Sequence, residues 1–147
     1  MRAVIQRVKA ASCTVDNKVI SKIDSGLMIL VGITQTDTLK EVEYIAKKIA
    51  NMRIFDDAKG VMNESIIDKG YRILSISQFT LYGSTKKGNR PSYSKAAPSV
   101  QAKELYLELS NILNNQYNIP TFNGAFQEHM EISLINDGPV TLILESK

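Results

Sequence analysis

The sequence predicts an α/β protein in which a largely antiparallel, barrel-like β-sheet is covered by two main helices. Three observations carry that expectation. The N-terminal third is a series of short runs rich in β-branched residues, cut by turn residues. Two later segments repeat apolar residues every three or four positions. At 147 residues and 44% hydrophobic, the chain can bury one core but is short for two. A single domain over 1–147 is therefore expected, with no internal repeat and no linker.

The elements follow in order. Strands are predicted over 1–8, 11–15, 18–23 and 27–33, with Asp16-Asn17 separating the second from the third and Asp24-Ser25-Gly26 the third from the fourth. This reads as an antiparallel meander. Thr38-Leu39-Lys40-Glu41 has the form of a capping box, and Val42, Ile45, Ile49 and Met52 follow at helical spacing, so a helix is predicted over about 38–52. Asp56, Asp57, Lys59, Gly60 and Asn63 mark a loop. A strand returns over 71–81, where Leu74 and Ile76 alternate with Ser75 and Ser77. Pro98 suits the first turn of a second helix, whose buried stripe is Ala102, Leu105, Leu109, Ile112 and Leu113 and whose end lies near 115–117. Two last strands, over 129–135 and 140–144, are joined by a turn containing Gly138-Pro139.

Composition removes several classes of function. The longest apolar run, 26–33, is far below the ~20 residues that span a bilayer, and the start of the chain lacks a signal-peptide layout. A cytoplasmic protein without membrane contact is expected. The lone cysteine, Cys13, permits no internal disulfide and reads as a small buried hydrophobe in a strand. A net charge of +3 announces no general nucleic-acid binder, although it allows a local basic patch. Neither a glycine-rich dinucleotide fingerprint nor a P-loop is present, so no cofactor is expected. The single histidine, His129, is read as a solvent-facing strand residue in preference to a general base. Without a second histidine or paired cysteines, no metal site is expected. Asp56 and Asp57 are read as solvated turn residues.

Two polar segments remain. Ser77-Gln78-Phe79-Thr80-Leu81 ends an otherwise apolar strand; on a regular pleat Ser77 and Phe79 share one face and Gln78 and Thr80 the other. One face would be core and the other a site, or the segment is simply a wet edge. The long loop after it carries Lys86, Lys87 and Arg90, which either are solvated or hold phosphates. Asn136-Asp137-Gly138-Pro139-Val140-Thr141 is the second segment. Its proline has no amide donor, its glycine has no Cβ, and a Gly-Pro bond is where a cis peptide costs least. Such a pair can present a stiff backbone edge.

Together these segments resemble the D-aminoacyl-tRNA deacylases. The likeness extends to Ile5-Gln6-Arg7-Val8, Gly26-Leu27, Val31-Gly32-Ile33, Arg90-Pro91-Ser92-Tyr93 and Gly124-Ala125-Phe126 with Met130, all in the family's order. It covers nearly the whole chain. One departure stands out: the family usually has a small residue after Phe126, whereas this chain has Gln127 and then Glu128.

The resemblance implies a homodimer that hydrolyses the ester of D-aminoacyl-tRNA while sparing L-aminoacyl-tRNA; since glycine has no side chain for a backbone edge to reject, activity on mischarged glycyl-tRNA is expected as well. It implies that Gly138 and Pro139, through a cis peptide, enter the partner's site with Arg7 supporting them. Ser77, Gln78, Phe79 and Thr80 would line the reacting end, and Phe126 and Met130 would contact the terminal adenosine. The partner is then the 3′ end of tRNA, with DNA not expected. Two routes stay open, attack by Thr80 or assistance by the ribose 2′-hydroxyl. Two other classes also stay open: a nucleic-acid-binding module without catalysis, and a general small esterase using Thr80.

Overall fold

The computed structural model describes residues 1–146. Eight strands and three α-helices alternate as β1 (Arg2–Val15), β2 (Lys18–Ile23), β3 (Gly26–Gly32), α1 (Leu39–Asn51), β4 (Phe55–Asp56), β5 (Met62–Glu64), α2 (Ile66–Lys69), β6 (Arg72–Ser77), α3 (Ser99–Asn115), β7 (Thr121–Asn123) and β8 (Glu131–Glu145). A 3-10 turn, Phe79–Tyr82, follows β6. The predicted α/β, barrel-like sheet is present. Among the described residues no helix is long and apolar enough to cross a membrane.

The two predicted N-terminal strands are one. β1 continues through Lys9 and Ala10 because it serves two cores in succession: Ala3 and Ile5 face the helices, whereas Val8, Ala11 and Cys13 face the barrel interior. The meander is corrected as well. β3 pairs antiparallel with residues 2–8 of β1 and β2 with residues 11–15, so both lie beside β1 and not beside each other. β6 then pairs parallel with β3, and β7 parallel with β6. A parallel neighbour requires a crossover, which α1, the β4–β5 hairpin and α2 supply between β3 and β6.

β3 is an unbroken apolar run because both of its faces are covered. Leu27, Ile29 and Val31 pack under α1 and α3 while Met28 belongs to the barrel interior. The capping box of α1 is intact: the Thr38 hydroxyl accepts from the Lys40 amide, and the Glu41 carboxylate accepts from the Thr38 amide at 2.8 Å. Val42, Ile45 and Ile49 are fully buried as their spacing predicts. In α3 the helix begins directly after Pro98, and Leu109, Ile112 and Leu113 are buried, with Ala102 and Leu105 partly covered.

The predicted Gly-Pro turn is a bulge inside one long strand. β8 runs antiparallel to β1 on both sides of it: Thr141 lies opposite Gln6 and Asn136 opposite Val8, so Asp137-Gly138-Pro139-Val140 face Arg7 alone. An insertion of this kind leaves the extra residues unpaired and pushes them out of the sheet.

Candidate active site

The site begins where β6 stops. The strand predicted over 71–81 ends at Ser77, because the Gln78 amide donates to the Val31 carbonyl at 2.7 Å and its backbone then leaves the pleat at φ −144° and ψ 81°. Phe79–Tyr82 coil over the end of β3 as a 3-10 turn, so the alternation expected for Ser77 to Thr80 does not occur. Gly32 makes room for that crossing: a Cβ there would lie 2.9 Å from Leu81 Cβ and 3.1 Å from the Gln78 carbonyl oxygen. Arg2 pins the far end of the turn, donating from Nη1 to the Leu81 carbonyl at 2.6 Å. Among the described residues, the Phe79 and Thr80 amides at the start of the turn have no hydrogen-bond partner. Two donors are thus available.

A cavity of about 470 Å³ opens beside this turn. Ser77, Gln78 and Phe79 form one wall, Ala102 and Tyr106 of α3 another, and residues 126–130 a third, with Ile76 and Ile132 as apolar floor. Tyr106 is buried, and its hydroxyl donates to the Ser75 carbonyl at 2.6 Å. Burial pushes that phenol up to about 12. It is neutral near pH 7 and acts as a fixed wall, with its ring 5.9 Å from that of Phe126. Met130 is set by Gly124, where a Cβ would lie 2.7 Å from the Met130 sulfur.

Thr80 is exposed and does not line the cavity; its hydroxyl accepts from Gln78 Nε2 at 2.5 Å. Phe79 is 57% exposed and meets the Tyr93 ring edge to face at 5.0 Å. His129 is exposed as expected, yet it precedes β8 and lines the cavity with Gln127 and Glu128. Cys13 is buried in the barrel interior, and desolvation raises its thiol, which suits an inert packing residue. Asp57 is a turn residue: its carboxylate accepts from the Lys59 and Val61 amides at 2.8 and 3.1 Å, which lowers its pKa.

The profile of the D-Tyr-tRNA(Tyr) deacylases matches residues 4–145. The chain belongs to this deacylase family. D-aminoacyl-tRNA deacylases of Thermosipho africanus and Brevibacillus brevis are 52% and 54% identical to it, over 100% and 99% of this chain and 98% and 100% of theirs. Among solved structures, a c-Myc DNA Unwinding Element Binding Protein superposes with a TM-score of 0.95 at 42% identity, covering 100% of this chain and 99% of its own. A probable eukaryotic D-amino acid tRNA deacylase superposes at 0.84 over 97% of both chains; at 15% identity it shows the fold alone.

Within this deacylase the residues singled out in the sequence fall into three places. Ser77, Gln78, Phe79, Phe126 and Met130 meet at the cavity. Arg7, only 7% exposed, lies at a separate cleft of about 150 Å³ with Asp56 and Asp137. It donates to the carbonyls of Ile54 at 2.8 Å and Asp137 at 3.1 Å. Gly138 and Pro139, joined by a cis peptide, are exposed and line neither space in their own chain. Lys86, Lys87 and Arg90 sit at the exposed tip of a loop clasped by reciprocal Ser84 and Ser92 hydrogen bonds of 2.9 Å, outside the cavity. Sequence reasoning missed the α3 wall. Ala102 carried a signal as part of the helical stripe, but Tyr106 lies one position from the predicted Leu105.

Proposed function

We propose that this chain hydrolyses the ester between a D-amino acid and the terminal ribose of tRNA, working as a cytoplasmic homodimer. The observation that carries this reading is the cavity. One wall holds Ser77, Gln78 and the start of the 3-10 turn, and another holds Phe126 and Met130 among residues 126–130. The first suits an aminoacyl ester and the second the flat apolar face of the terminal adenosine. tRNA and the free D-amino acid are the products.

Water attacks the ester carbonyl, the bond to the ribose oxygen breaks, and that oxygen takes a proton. An aminoacyl ester is already activated, so orientation and stabilisation of the developing oxyanion supply much of the acceleration. The Phe79 and Thr80 amides, unpaired among the described residues, are the donors this reading assigns to that stabilisation. Thr80 is exposed and outside the cavity, and its hydroxyl is engaged with the Gln78 amide, which is not a base. Assistance from the neighbouring ribose 2′-hydroxyl is therefore favoured over attack by Thr80.

Handedness is read by a partner's backbone. Gly138 and Pro139 are exposed and lie outside their own chain's cavity, while β8 has one edge unpaired among the described residues and exposes Ile135 and Ile143 at 59% and 67%. A long apolar edge strand calls for a neighbour, and a two-fold contact through it places each bulge against the other chain. A wall of main chain tests which way the side chain leaves Cα and not what the side chain is. Rejecting L-substrates by ~1,000-fold needs about 4 kcal/mol, within reach of a clash with an unyielding wall. Glycine has no side chain to clash, so glycyl-tRNA is also cleaved.

Incubation with matched D- and L-tyrosyl-tRNA tests the reading. Rapid ester loss from the D form with the L form intact is expected; equal turnover of both sinks it. A second reading, nucleic-acid binding without catalysis, draws on the DNA-binding description of the 42%-identical structure and on the basic tip of Lys86, Lys87 and Arg90. If those three side chains meet phosphates of an unpaired RNA end, affinity falls with salt at a log-log slope near −2. A much steeper slope without ester loss favours the second reading.

A further inference from the structure

Gln127 holds a conformation that glutamine disfavours. It is the third residue of a turn closed by the Glu128 amide donating to the Ala125 carbonyl at 3.3 Å, and its φ is +65°. A turn with positive φ at this place ordinarily takes glycine or asparagine, because a Cβ crowds the backbone there. The described residues include other non-glycine positions at positive φ, namely Asp16, Asn17 and Asn118. Those are Asp and Asn, the residue types that tolerate it best. Gln127 alone among them also lines the 470 Å³ cavity, and its side chain is exposed. Strain held at a cavity wall by a residue unsuited to it points to use of the side chain there.

The neighbours narrow what that use is. Phe126, the second residue of the turn, and Met130, two residues beyond the turn's end, offer only apolar surface, which can stack on a base but cannot tell one base from another. Glu128 offers only acceptors when ionised, and the two ring nitrogens of His129, also at the cavity, point in divergent directions and cannot meet two adjacent atoms of one base edge. The Gln127 amide offers a donor and an acceptor side by side, the pattern that pairs with the adenine amino group and the ring nitrogen next to it.

We propose that Gln127 reads the base of the substrate's terminal nucleoside, its side-chain oxygen accepting from the adenine amino group and its nitrogen donating to the adjacent ring nitrogen. Gln127 is thus a specificity-determining residue of this chain. The inference rests on the adenosine end of the cavity assigned above.

The test compares 3′-O-D-tyrosyl adenosine with the same ester of purine riboside, which lacks the amino group, using wild type and Gln127→Gly. Wild type should favour the adenosine ester by about tenfold in kcat/KM, the scale of one lost base-edge contact. Gln127→Gly should melt a few degrees higher, since glycine accepts the turn, while its preference falls to within about threefold. A purely structural Gln127 would give the higher melting temperature with the tenfold preference intact, and that result overturns the proposal. So does a wild-type enzyme that treats the two esters alike. Hydrolysis of D-tyrosyl-tRNA by wild type is measured alongside, because its absence would refute the deacylase reading and not the role of Gln127 alone.

Discussion

Arg7 and Asp137 are joined twice: Arg7 Nε donates to the Asp137 carbonyl at 3.1 Å and faces its carboxylate at 3.5 Å. The other arm of the guanidinium donates to the Ile54 carbonyl at 2.8 Å and lies 3.4 Å from the Asp56 carboxylate. One nearly buried fork therefore ties the β8 bulge to the segment after α1. Lysine could not reproduce it, since a point charge does not span two carbonyls in fixed directions.

Arg7→Lys should accordingly lower stability by about 2 kcal/mol, from loss of charge-assisted hydrogen bonds, and should loosen the bulge. Urea unfolding checks the first effect. The ratio of D- to L-tyrosyl-tRNA turnover checks the second and should fall at least tenfold. An unchanged ratio would separate Arg7 from selectivity.

Gly138→Ala adds a Cβ at φ +123°, 3.1 Å from the Val140 amide nitrogen and 3.2 Å from Arg7 Nη2. That backbone region is nearly closed to alanine, so about 1–3 kcal/mol of strain is expected. The bulge must shift to relieve it. D-tyrosyl-tRNA turnover should drop more than tenfold, measured beside a thermal melt showing that the variant is folded.

Thr80→Ala should keep kcat within about threefold, because the Thr80 hydroxyl is outside the cavity and accepts from Gln78. A tRNA ending in 2′-deoxyadenosine, charged on its 3′-hydroxyl, should lose the assisted rate in the wild type. Single-turnover kinetics on the two substrates distinguish the routes. Collapse of kcat in Thr80→Ala would restore Thr80 as nucleophile.

Alkaline pH should unfold the protein through its tyrosines. Burial pushes the Tyr106 phenol from 10 up to about 12, and burial followed by the Asp37 charge does the same to Tyr82. Between those values the unfolded chain gives up a proton that the folded chain retains. Stability is whole below pH 10 and is lost as pH rises toward 12. Tyr106 accounts for about 2–3 kcal/mol of the fall and Tyr82, more open to water, for less. Tyr106→Phe should cost about 1 kcal/mol at pH 7, because the Ser75 carbonyl keeps its bond from the Gly124 amide at 2.9 Å. Its melts should then decline less steeply between pH 10 and 12.

What the sequence disclosed depended on how local the cause was. The α1 capping box and stripe, and the start of α3 after Pro98, are set within a few residues of chain and were legible in full. The join of 1–8 to 11–15 was not, since Lys9 interrupts the apolar pattern and β1 changes the core it serves at that point. The end of β6 depends on Gly32, distant in sequence, leaving space for Leu81. Likewise the bulge is visible only against β1: alone, Asp137-Gly138-Pro139 has the composition of a hairpin turn, and only pairing on both sides shows one strand. The short β7 and α2 lacked enough periodicity to be read. Of the site, the motif residues were legible, whereas the third-position turn geometry of Gln127 was not.

Subunit mixing tests the shared site most directly. A Gly138→Ala protein and a Phe126→Ala protein, each expected to be more than tenfold slower alone on D-tyrosyl-tRNA, are combined and allowed to exchange. Each mixed dimer then holds one intact site, so about a quarter of the wild-type activity per chain should return. No recovery, with exchange verified by a tagged subunit, would place the bulge and the cavity of each working site in the same chain and contradict the account.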